Sequence, residues 1–323
     1  MIDVAIIGAG LAGLHCAALL GKRGFTVEIF DKSRGIGGRL ATRQVNDLRL
    51  DHGLPSWEIL GEHTEQLTQR LLAAKLLQPW LVTESNVVDV QLWKSLPMKT
   101  HYAARDGMTA IAKFIAQDLT VNRGHHLTAI QANAKSWQLT FHNEQTIAAK
   151  AIVLAMPYPQ IQPLITAFNP QAKQLQSISY EPSLSLMLGY DSLNIEVPWQ
   201  ELRLGNHPIF RKIIFDGQKR SPQAKTMVLQ SHEDFAQDYL DAASLKPAQE
   251  MLIESSQTLF KLPEPAWAQM HRWRYALPQA VLGQPYLALD TALPMIACGD
   301  WCLGNGIEGA IASGLAAAES LAQ

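Results

Sequence analysis

The sequence lacks a strong charge of either sign, a cysteine framework and a long hydrophobic run. Its 323 residues include 27 Lys and Arg against 29 Asp and Glu, a formal net charge of −2. Such a balanced chain is not expected to have nucleic acid or an anionic membrane as its main partner. Three cysteines are too few for a disulfide framework, and an odd number cannot all pair. We therefore predict that the protein resides in a reducing compartment. Because no stretch reaches the ~18–20 apolar residues of a membrane span, we predict a cytoplasmic protein.

The sequence also lacks the short motifs of two hydrolase classes and of a metal site. Neither G-x-S-x-G nor H-E-x-x-H occurs. His125 and His126 are adjacent in a predicted strand, so their side chains point to opposite faces, and no third ligand is spaced nearby. We therefore predict no bound metal.

The chain does have apolar material for a sizeable core, because 47% of its residues are hydrophobic. At ~100–200 residues per domain, its length favours two domains. It opens with a strand at residues 4–7, a glycine-rich turn, a helix from Leu11 to about Lys22 and a strand at 26–30, which is a βαβ unit. The C-terminal segment has the same order of elements: a strand at 295–298, a glycine-rich turn and a terminal helix. The other predicted elements are helices at 62–77, 108–118 and 246–262, and strands at 127–132, 137–141, 151–155, 183–190 and 226–231.

The first glycine-rich turn predicts a dinucleotide site. Gly8 permits the tight turn, Gly10 lets the backbone approach a pyrophosphate at the helix N-terminus, and Gly13 lets helix and strand pack closely. Asp31 ends the second strand, where it is placed to accept both hydroxyls of an adenosine ribose. The first strand, the helix, the second strand and the acid at its end occur in the order of a dinucleotide-binding unit. We therefore predict a bound dinucleotide.

Two further segments favour FAD over NAD. Gly37 and Gly38 let the backbone run close beneath the dinucleotide, and Arg39 can bind a phosphate with two hydrogen bonds. Near the C-terminus, Asp300 is placed for a ribityl hydroxyl, and residues 304–310 open a helix whose N–H groups would face the flavin or the pyrophosphate.

These residues carry a resemblance to the amine-oxidase-type FAD oxidoreductases. It rests on V-A-I-I-G-A-G-L-A-G-L at 4–14, D-K-S-R-G-I-G-G-R at 31–39 and L-D-H-G at 50–53. H-R-W-R-Y at 271–275 and C-G-D-W-C-L at 298–303 look most like the renalase-like proteins of bacteria. The resemblance covers both ends of the chain strongly and the middle weakly.

The resemblance implies a fold, a cofactor and an activity. The fold would be α/β, a glutathione-reductase-like Rossmann FAD domain with an inserted α+β substrate domain built on a mixed sheet. The FAD-binding domain would comprise residues 1–53, 101–157 and 284–323, and the substrate domain residues 54–100 and 158–283. FAD would be bound noncovalently. Renalases oxidise the 2- and 6-dihydro isomers of NAD(P)H by hydride transfer to flavin N5, and O2 receives the electrons as H2O2.

The resemblance also assigns cofactor contacts. Besides the five glycines, they are Leu11, Ala12, Asp31, Lys32, Arg39, Leu54, Leu127, Asp300 and Ile307. Relatives usually follow Asp-x-Gly with Ala-Gln-Tyr-Phe, whereas this chain has Leu54-Pro55-Ser56-Trp57. Because that stretch lies by the isoalloxazine in the family, Trp57 is a predicted pocket residue.

One predicted strand offers further pocket residues. His271, Trp273 and Tyr275 alternate, so they share one face, and Arg272 and Arg274 share the other. Trp273 and Tyr275 could stack on a planar substrate, or this face could simply belong to the core. Either arginine could instead bind a substrate phosphate.

No catalytic base stands out, and a dihydropyridine needs none, because it becomes aromatic on losing a hydride. We therefore predict an FAD-dependent oxidoreductase acting on a reduced nicotinamide nucleotide, with O2 as acceptor. A flavin amine oxidase or another small-molecule dehydrogenase stays open, as does a flavin-binding module without turnover. The sequence does not indicate the oligomeric state.

Overall fold

The strands of this computed structural model, which describes residues 1–85, 97–168, 178–220 and 223–323, divide between two large sheets and one hairpin. In chain order they are β1 Ile2–Ile7, β2 Val27–Asp31, β3 Thr42–Val45, β4 Leu48–Asp51, β5 Leu77–Ser85, β6 Met98–Ala104, β7 Thr120–Arg123, β8 Leu127–Ala132, β9 Trp137–Phe141, β10 Thr146–Leu154, β11 Tyr180–Gly189, β12 Glu201–Leu204, β13 Phe210–Ile214, β14 Thr226–Ser231, β15 Trp267–Pro278, β16 Leu287–Ala288 and β17 Met295–Ala297. The helices are α1 Leu11–Lys22, α2 Glu62–Ala73, α3 Thr109–Ile115, α4 Tyr158–Ile165, α5 Glu233–Asp238, α6 Lys246–Phe260, α7 Asp300–Leu303 and α8 Gly306–Leu321.

The first sheet has the order β16-β17-β10-β1-β2-β7, and β9 and β8 extend it from β10. Its central pairs are parallel: β10 with β1, β1 with β2, β2 with β7, and β10 with β17. Parallel strands buried on both faces need nearly continuous apolar residues, and β1 is apolar except for Asp3 near its start. The two ends of the chain therefore meet in one Rossmann-like α/β sheet, as the sequence predicts.

Helices α1 and α8 pack together on this sheet through small residues. A side chain at Gly314 would lie 2.1 Å from the Ala12 carbonyl oxygen, so glycine there permits the close approach. Cys16 and Leu20 of α1 are fully buried in the same core. Small residues on α8 thus let the two helices approach closely.

The second sheet has the order β15-β11-β14-β13-β12-β5-β6. The pair of β12 with β5 is parallel and the other pairs are antiparallel, so the sheet is mixed. One face packs in an apolar core with residues of α5 and α6. The other face receives Leu50 of the β3–β4 hairpin, between Val82, Met187 and Val228. That face therefore lies against the segment that follows the first glycine-rich turns.

The sequence locates several elements to the residue and misses others. Strands β8, β9 and β14 and helix α1 have the predicted bounds. Helix α2 ends at Ala73 rather than near residue 77, and Lys75 just beyond it has a left-handed backbone (φ 57°). Strand β6 crosses the predicted boundary between residues 100 and 101, so residues 101–104 lie in the second sheet. The domain division stays a prediction.

Within the described ranges, no helix combines the length and apolar character needed to cross a membrane.

Candidate active site

The corner between β1 and α1 has the shape that a diphosphate needs. Gly8 has a φ of 115°, and a side chain there would lie 2.3 Å from the Ala155 carbonyl oxygen. A side chain at Gly13 would lie 2.0 Å from the Gly8 carbonyl oxygen. At Gly10, by contrast, an added Cβ would meet nothing within 4 Å. The first N–H groups of α1, beginning at Leu11, have no acceptor within the helix, so they can serve an anion at this open position.

The second glycine-rich segment is bound to the first. The N–H of Gly37 donates to the Ala9 carbonyl oxygen at 2.8 Å. Gly38 has a φ of 55°, and a side chain there would lie 3.6 Å from the Cα of Gly10. The two segments therefore form one cradle of backbone around the open position at Gly10.

Asp31 lies at the end of β2, beside this cradle. Its Oδ2 accepts the Ala9 N–H and its Oδ1 accepts the Ser33 N–H, both at 2.7 Å. Its own carbonyl oxygen accepts the His125 N–H at 2.8 Å, which holds the segment leading into Leu127 close by. Leu127 itself is buried at the start of β8.

Arg39 and Asp300 bind each other. The Arg39 Nη1 and Nη2 donate to the two Asp300 carboxylate oxygens at 2.7 and 2.8 Å, and Nη1 also donates to the Ala276 carbonyl oxygen at 3.0 Å. Burial lowers the pKa of Arg39, but the charge of Asp300 and the hydrogen bonds to it together raise the pKa overall. Arg39 therefore stays protonated, and its ion pair with Asp300 neutralises a carboxylate that would otherwise repel a diphosphate.

Segment 51–53 is fixed by side chains of the second sheet. The His52 carbonyl oxygen accepts hydrogen bonds from Ser185 Oγ at 2.7 Å and Trp273 Nε1 at 2.8 Å. The Gly53 carbonyl oxygen accepts Gln230 Nε2 at 2.5 Å. A side chain at Gly53 would lie 2.1 Å from the Arg39 carbonyl oxygen. The second sheet thus holds the segment that packs on Arg39.

An uncharged aromatic wall stands at this junction. The His52 and Trp273 rings stack with centroids 5.4 Å apart, and His271 meets the edges of both. Burial lowers the pKa of His52 to about 3 and that of His271 to about 4. Both imidazoles are therefore neutral near pH 7 and are poor proton acceptors there. Tyr275 lies further along β15, with its ring edge against Tyr180 at 5.5 Å.

Trp57, another predicted pocket residue, is not part of this aromatic wall. Trp57 has no exposed surface, packs in the core beside Leu67 and Leu71, and donates its indole N–H to Thr68 Oγ1 at 2.8 Å. The prediction that Trp57 lines the substrate pocket is therefore corrected: Trp57 is a core residue that is hydrogen-bonded to α2. Ile307, in contrast, lies partly exposed in the first turn of α8.

The arginines of β15 lie on its other face. Arg272 donates to the carbonyl oxygens of Leu240 and Ala242, and Arg274 to the Leu240 carbonyl oxygen and to the Asp241 carboxylate. Both guanidinium groups are therefore engaged with the segment after α5, away from the aromatic wall.

A row of polar side chains crosses the second sheet, and sequence reasoning missed it. By strand register the row runs Glu84, Arg203, Lys212, Gln230, Ser185 and His271. At its β5–β13 end lies a cavity of about 360 Å³. Each strand contributes only one polar residue to the row. The sequence of a single strand therefore does not indicate the row, which is apparent only when the pairing register of the strands is known.

Comparisons with known proteins agree with this fold. A family model described as flavin-containing amine oxidoreductase matches residues 83–322, and one described as NAD(P)-binding Rossmann-like domain matches residues 6–71. A provisionally assigned protoporphyrinogen oxidase from Exiguobacterium is similar across 99% of this chain and 98% of its own, with a TM-score of 0.75 and 12% identity. Putrescine oxidase in its putrescine-bound form covers the same shares, with a TM-score of 0.68 and 13% identity. At these identities the likeness shows the fold.

Curated relatives match over shorter stretches. Achacin from Lissachatina fulica is 29% identical over 143 residues, which is 43% of this chain and 24% of achacin. Carotenoid 3,4-desaturase from Haloarcula japonica is 34% identical over 64 residues, which is 20% of this chain and 13% of that protein. The matched part thus spans about a quarter of the first of these relatives and less of the second.

Proposed function

Since this chain belongs to the flavin-containing amine oxidoreductase family and is an FAD-dependent oxidoreductase, we propose that it oxidises a reduced nicotinamide nucleotide, with O2 receiving the electrons as H2O2. The substrates would be the 2- and 6-dihydro isomers of NAD(P)H. When bound, FAD supplies a two-electron acceptor for the hydride. The observation that carries the substrate assignment is the neutral aromatic wall of His52, His271 and Trp273 beside the Arg39–Asp300 pair.

The proposal assigns the cofactor to the cradle around Gly10, in a domain of the glutathione-reductase type. The residues proposed to hold FAD are Gly8, Gly10, Leu11, Ala12, Gly13, Asp31, Lys32, Gly37, Gly38, Arg39, Leu54, Leu127, Asp300 and Ile307. Binding would be noncovalent, because Cys298 and Cys302 are buried and burial raises the pKa of Cys302 to about 12. A thiol with so high a pKa is a weak nucleophile near neutral pH.

The aromatic wall suits a dihydropyridine. Such a donor becomes an aromatic cation on losing a hydride, so the reaction needs a flat, well-oriented contact rather than a base. The Trp273 ring is oriented by its hydrogen bond to the His52 carbonyl oxygen and by stacking on the His52 ring. Correct orientation alone can contribute up to ~7–11 kcal/mol to acceleration. The low pKa values of His52 and His271 also fit a reaction without proton abstraction.

The proposal also includes the cellular compartment of the protein. All three cysteines are free and buried, as expected for a protein kept in a reducing compartment such as the cytoplasm.

An amine substrate is the second candidate, favoured by the family to which the chain belongs. Anaerobic stopped-flow mixing of the FAD-bound protein with 2-dihydro-NAD(P), 6-dihydro-NAD(P) and a panel of primary amines separates the two. We expect rapid loss of flavin absorbance with a dihydronicotinamide isomer. Flavin that stays oxidised with both isomers, yet is reduced by an amine, would end the nicotinamide proposal.

A further inference from the structure

Arg43 lies on the face of the β3–β4 hairpin that packs against the second sheet. In the hairpin register Arg43 is directly opposite Leu50, and residues directly opposite each other in an antiparallel pair share a face. Leu50 packs among residues of the second sheet. Val45 and Leu48, the next opposite pair on this face, pack against the same cluster. The side chain of Arg43 is therefore on the side of the hairpin that meets the second sheet.

The same face of the hairpin leads to the aromatic wall. His52 follows Leu50 by two residues, which makes it a diagonal neighbour of Arg43, about 7–8 Å away between Cβ atoms in a regular antiparallel pair. Burial is the largest cause of the low pKa values of His52 and His271, and the positive charge of Arg43 lowers both pKa values further. The hairpin register and the electrostatics thus agree that the guanidinium lies near the wall.

Arg43 has no counter-ion. Among the residues that the structure describes, its guanidinium has no hydrogen-bond partner and no carboxylate within 4 Å. Asp51, which precedes His52, lies on the other face of β4, where it contacts Lys219 and Arg220. The positive charge beside the two neutral imidazoles is therefore left uncompensated by the protein.

Arg43 and the wall can be reached from solvent. Strand β15, which contains His271 and Trp273, is an edge strand of the second sheet. Arg43, His271 and Trp273 are each partly exposed, whereas His52 is buried. A group attached to a ring on the wall can therefore approach Arg43 at this edge.

We propose that Arg43 determines substrate specificity by binding the phosphate group of the nucleotide. This role rests on the proposed function, because a nicotinamide nucleotide has a phosphate joined to its planar ring through a ribose. A guanidinium can bind a phosphate with two charge-assisted hydrogen bonds. Arg272 and Arg274 are engaged with the segment after α5, on the other face of β15. The phosphate contact therefore falls to Arg43.

The first test measures binding without turnover. The FAD-bound protein is titrated calorimetrically with oxidised nicotinamide mononucleotide and with nicotinamide riboside, which differ only in the phosphate. Wild type should bind the mononucleotide at least about tenfold more tightly than the riboside. Arg43→Met should lose this preference, and Arg43→Lys should keep part of it, because lysine retains the charge without the two-pronged geometry.

Arg49→Met is the matched control for this titration. Arg49 belongs to the same hairpin but lies on its opposite face, where it is exposed and contacts Asp106 at 3.1 Å. Its variant should keep the wild-type preference for the mononucleotide. A wild type without a phosphate preference, or an undiminished preference in Arg43→Met, would overturn the role of Arg43.

The second test separates this role from the proposed function. Anaerobic flavin reduction is compared for the 2- and 6-dihydro forms of nicotinamide mononucleotide and of nicotinamide riboside. In Arg43→Met the mononucleotide concentration for half-saturation should rise about tenfold. The limiting rate of reduction and the half-saturation by riboside should stay at wild-type values, because Arg43 binds the phosphate and not the reacting ring.

The outcomes of the second test are distinct. Reduction of the wild type by both donors with equal half-saturation would overturn the role of Arg43 and leave the proposed function. A phosphate preference in calorimetry, without flavin reduction by either donor, would overturn the proposed function and leave an anion site at Arg43.

Discussion

At the scale of single residues, the His52 carbonyl oxygen is the best-defined point of the junction between the two sheets. Ser185 and Trp273 donate to it at 2.7 and 2.8 Å, and Gln230 approaches it at 3.4 Å. Three donors from three strands of the second sheet converge on one acceptor in the segment that follows the β3–β4 hairpin. This contact fixes segment 51–53, which in turn packs on Arg39. We therefore regard Ser185 and Gln230 as positioning residues.

Two serines of β11 allow a matched test of this role. Ser185→Ala and Ser183→Ala each remove one hydrogen bond to a backbone carbonyl oxygen, that of His52 and of Ser231 respectively. Each should lower the free energy of unfolding by about 1 kcal/mol. Only Ser185→Ala should also shift the midpoint potential of bound FAD, by about 20 mV, roughly 1 kcal/mol for a two-electron couple. Equal potentials in the two variants, measured by dye-coupled titration, would remove the positioning role.

The buried histidines predict a pH dependence of stability. The unfolded chain protonates His52 and His271 near pH 6.5, whereas burial lowers their folded pKa values to about 3 and about 4. The unfolded state therefore binds more protons, and the free energy of unfolding falls as pH falls from about 6.5 to about 4. Each histidine contributes a slope of up to about 1.4 kcal/mol per pH unit. Urea denaturation should show a shallower slope for His271→Gln than for wild type, and no change for a variant at exposed His126.

At the scale of elements, the sequence predicts the nucleotide-binding unit better than the second sheet. Helix α1 has a self-contained pattern, a run of apolar residues bounded by glycines, and strand β9 alternates between buried and less buried residues. Strands β12 and β13 have only four and five residues, and they are stabilised by pairing with partners distant in sequence. Arg203 lies in β12 and Lys212 in β13. The polar row therefore could not be found without the pairing register of these strands.

Helices α2 and α8 are joined by one side chain whose role the sequence did not indicate. Glu308 accepts hydrogen bonds from the N–H groups of His63 and Thr64 at 3.1 and 2.8 Å and from the Thr64 hydroxyl at 2.7 Å. It thus caps the N-terminus of α2 from another helix. The signal in the sequence was a Glu in the first turn of α8, which by itself predicts only a favourable dipole contact.

This cap predicts a cost for losing the carboxylate. Glu308→Ala should lower the free energy of unfolding by about 1–2 kcal/mol, because two N–H groups at the start of α2 lose their acceptor. Glu319→Ala, an exposed position in the same helix, should change it by less than about 0.5 kcal/mol. Chemical denaturation of both variants makes the comparison. A cost no larger for Glu308→Ala than for Glu319→Ala would mean that α2 does not depend on this cap.

At the scale of the whole molecule, a buried ionic network connects the β3–β4 hairpin to residues 216–220, which join two strands of the second sheet. Asp51 Oδ2 contacts Lys219 at 3.2 Å and Arg220 at 2.6 Å, and Asp216 contacts the same two cations at 2.7 and 3.0 Å. Asp51 Oδ1 also accepts the Met108 N–H. Asp51 directly precedes His52, so this network and the hydrogen bonds to the His52 and Gly53 carbonyl oxygens fix the same segment.

Removing one cation should leave buried carboxylates poorly compensated. Lys219 has no exposed surface, and Lys219→Met should lower the free energy of unfolding by about 3–5 kcal/mol. Arg49→Ala, which breaks an exposed pair with Asp106 at 3.1 Å, should cost at most about 1 kcal/mol. Urea denaturation measures both. A small loss for Lys219→Met would mean that the network contributes little to the junction.

The central claim is that FAD is held at the corner of β1 and α1, over Gly10. Two glycines of this βα unit provide the measurement, because an added Cβ meets nothing within 4 Å at either Gly10 or Gly21. Gly10→Ala should fold as well as wild type, yet its methyl group would occupy the position assigned to the diphosphate. The dissociation constant of FAD, measured by fluorescence titration of the apoprotein, should rise at least about tenfold for Gly10→Ala, a loss of about 1.4 kcal/mol, and stay unchanged for Gly21→Ala. Wild-type FAD affinity in Gly10→Ala would contradict the account.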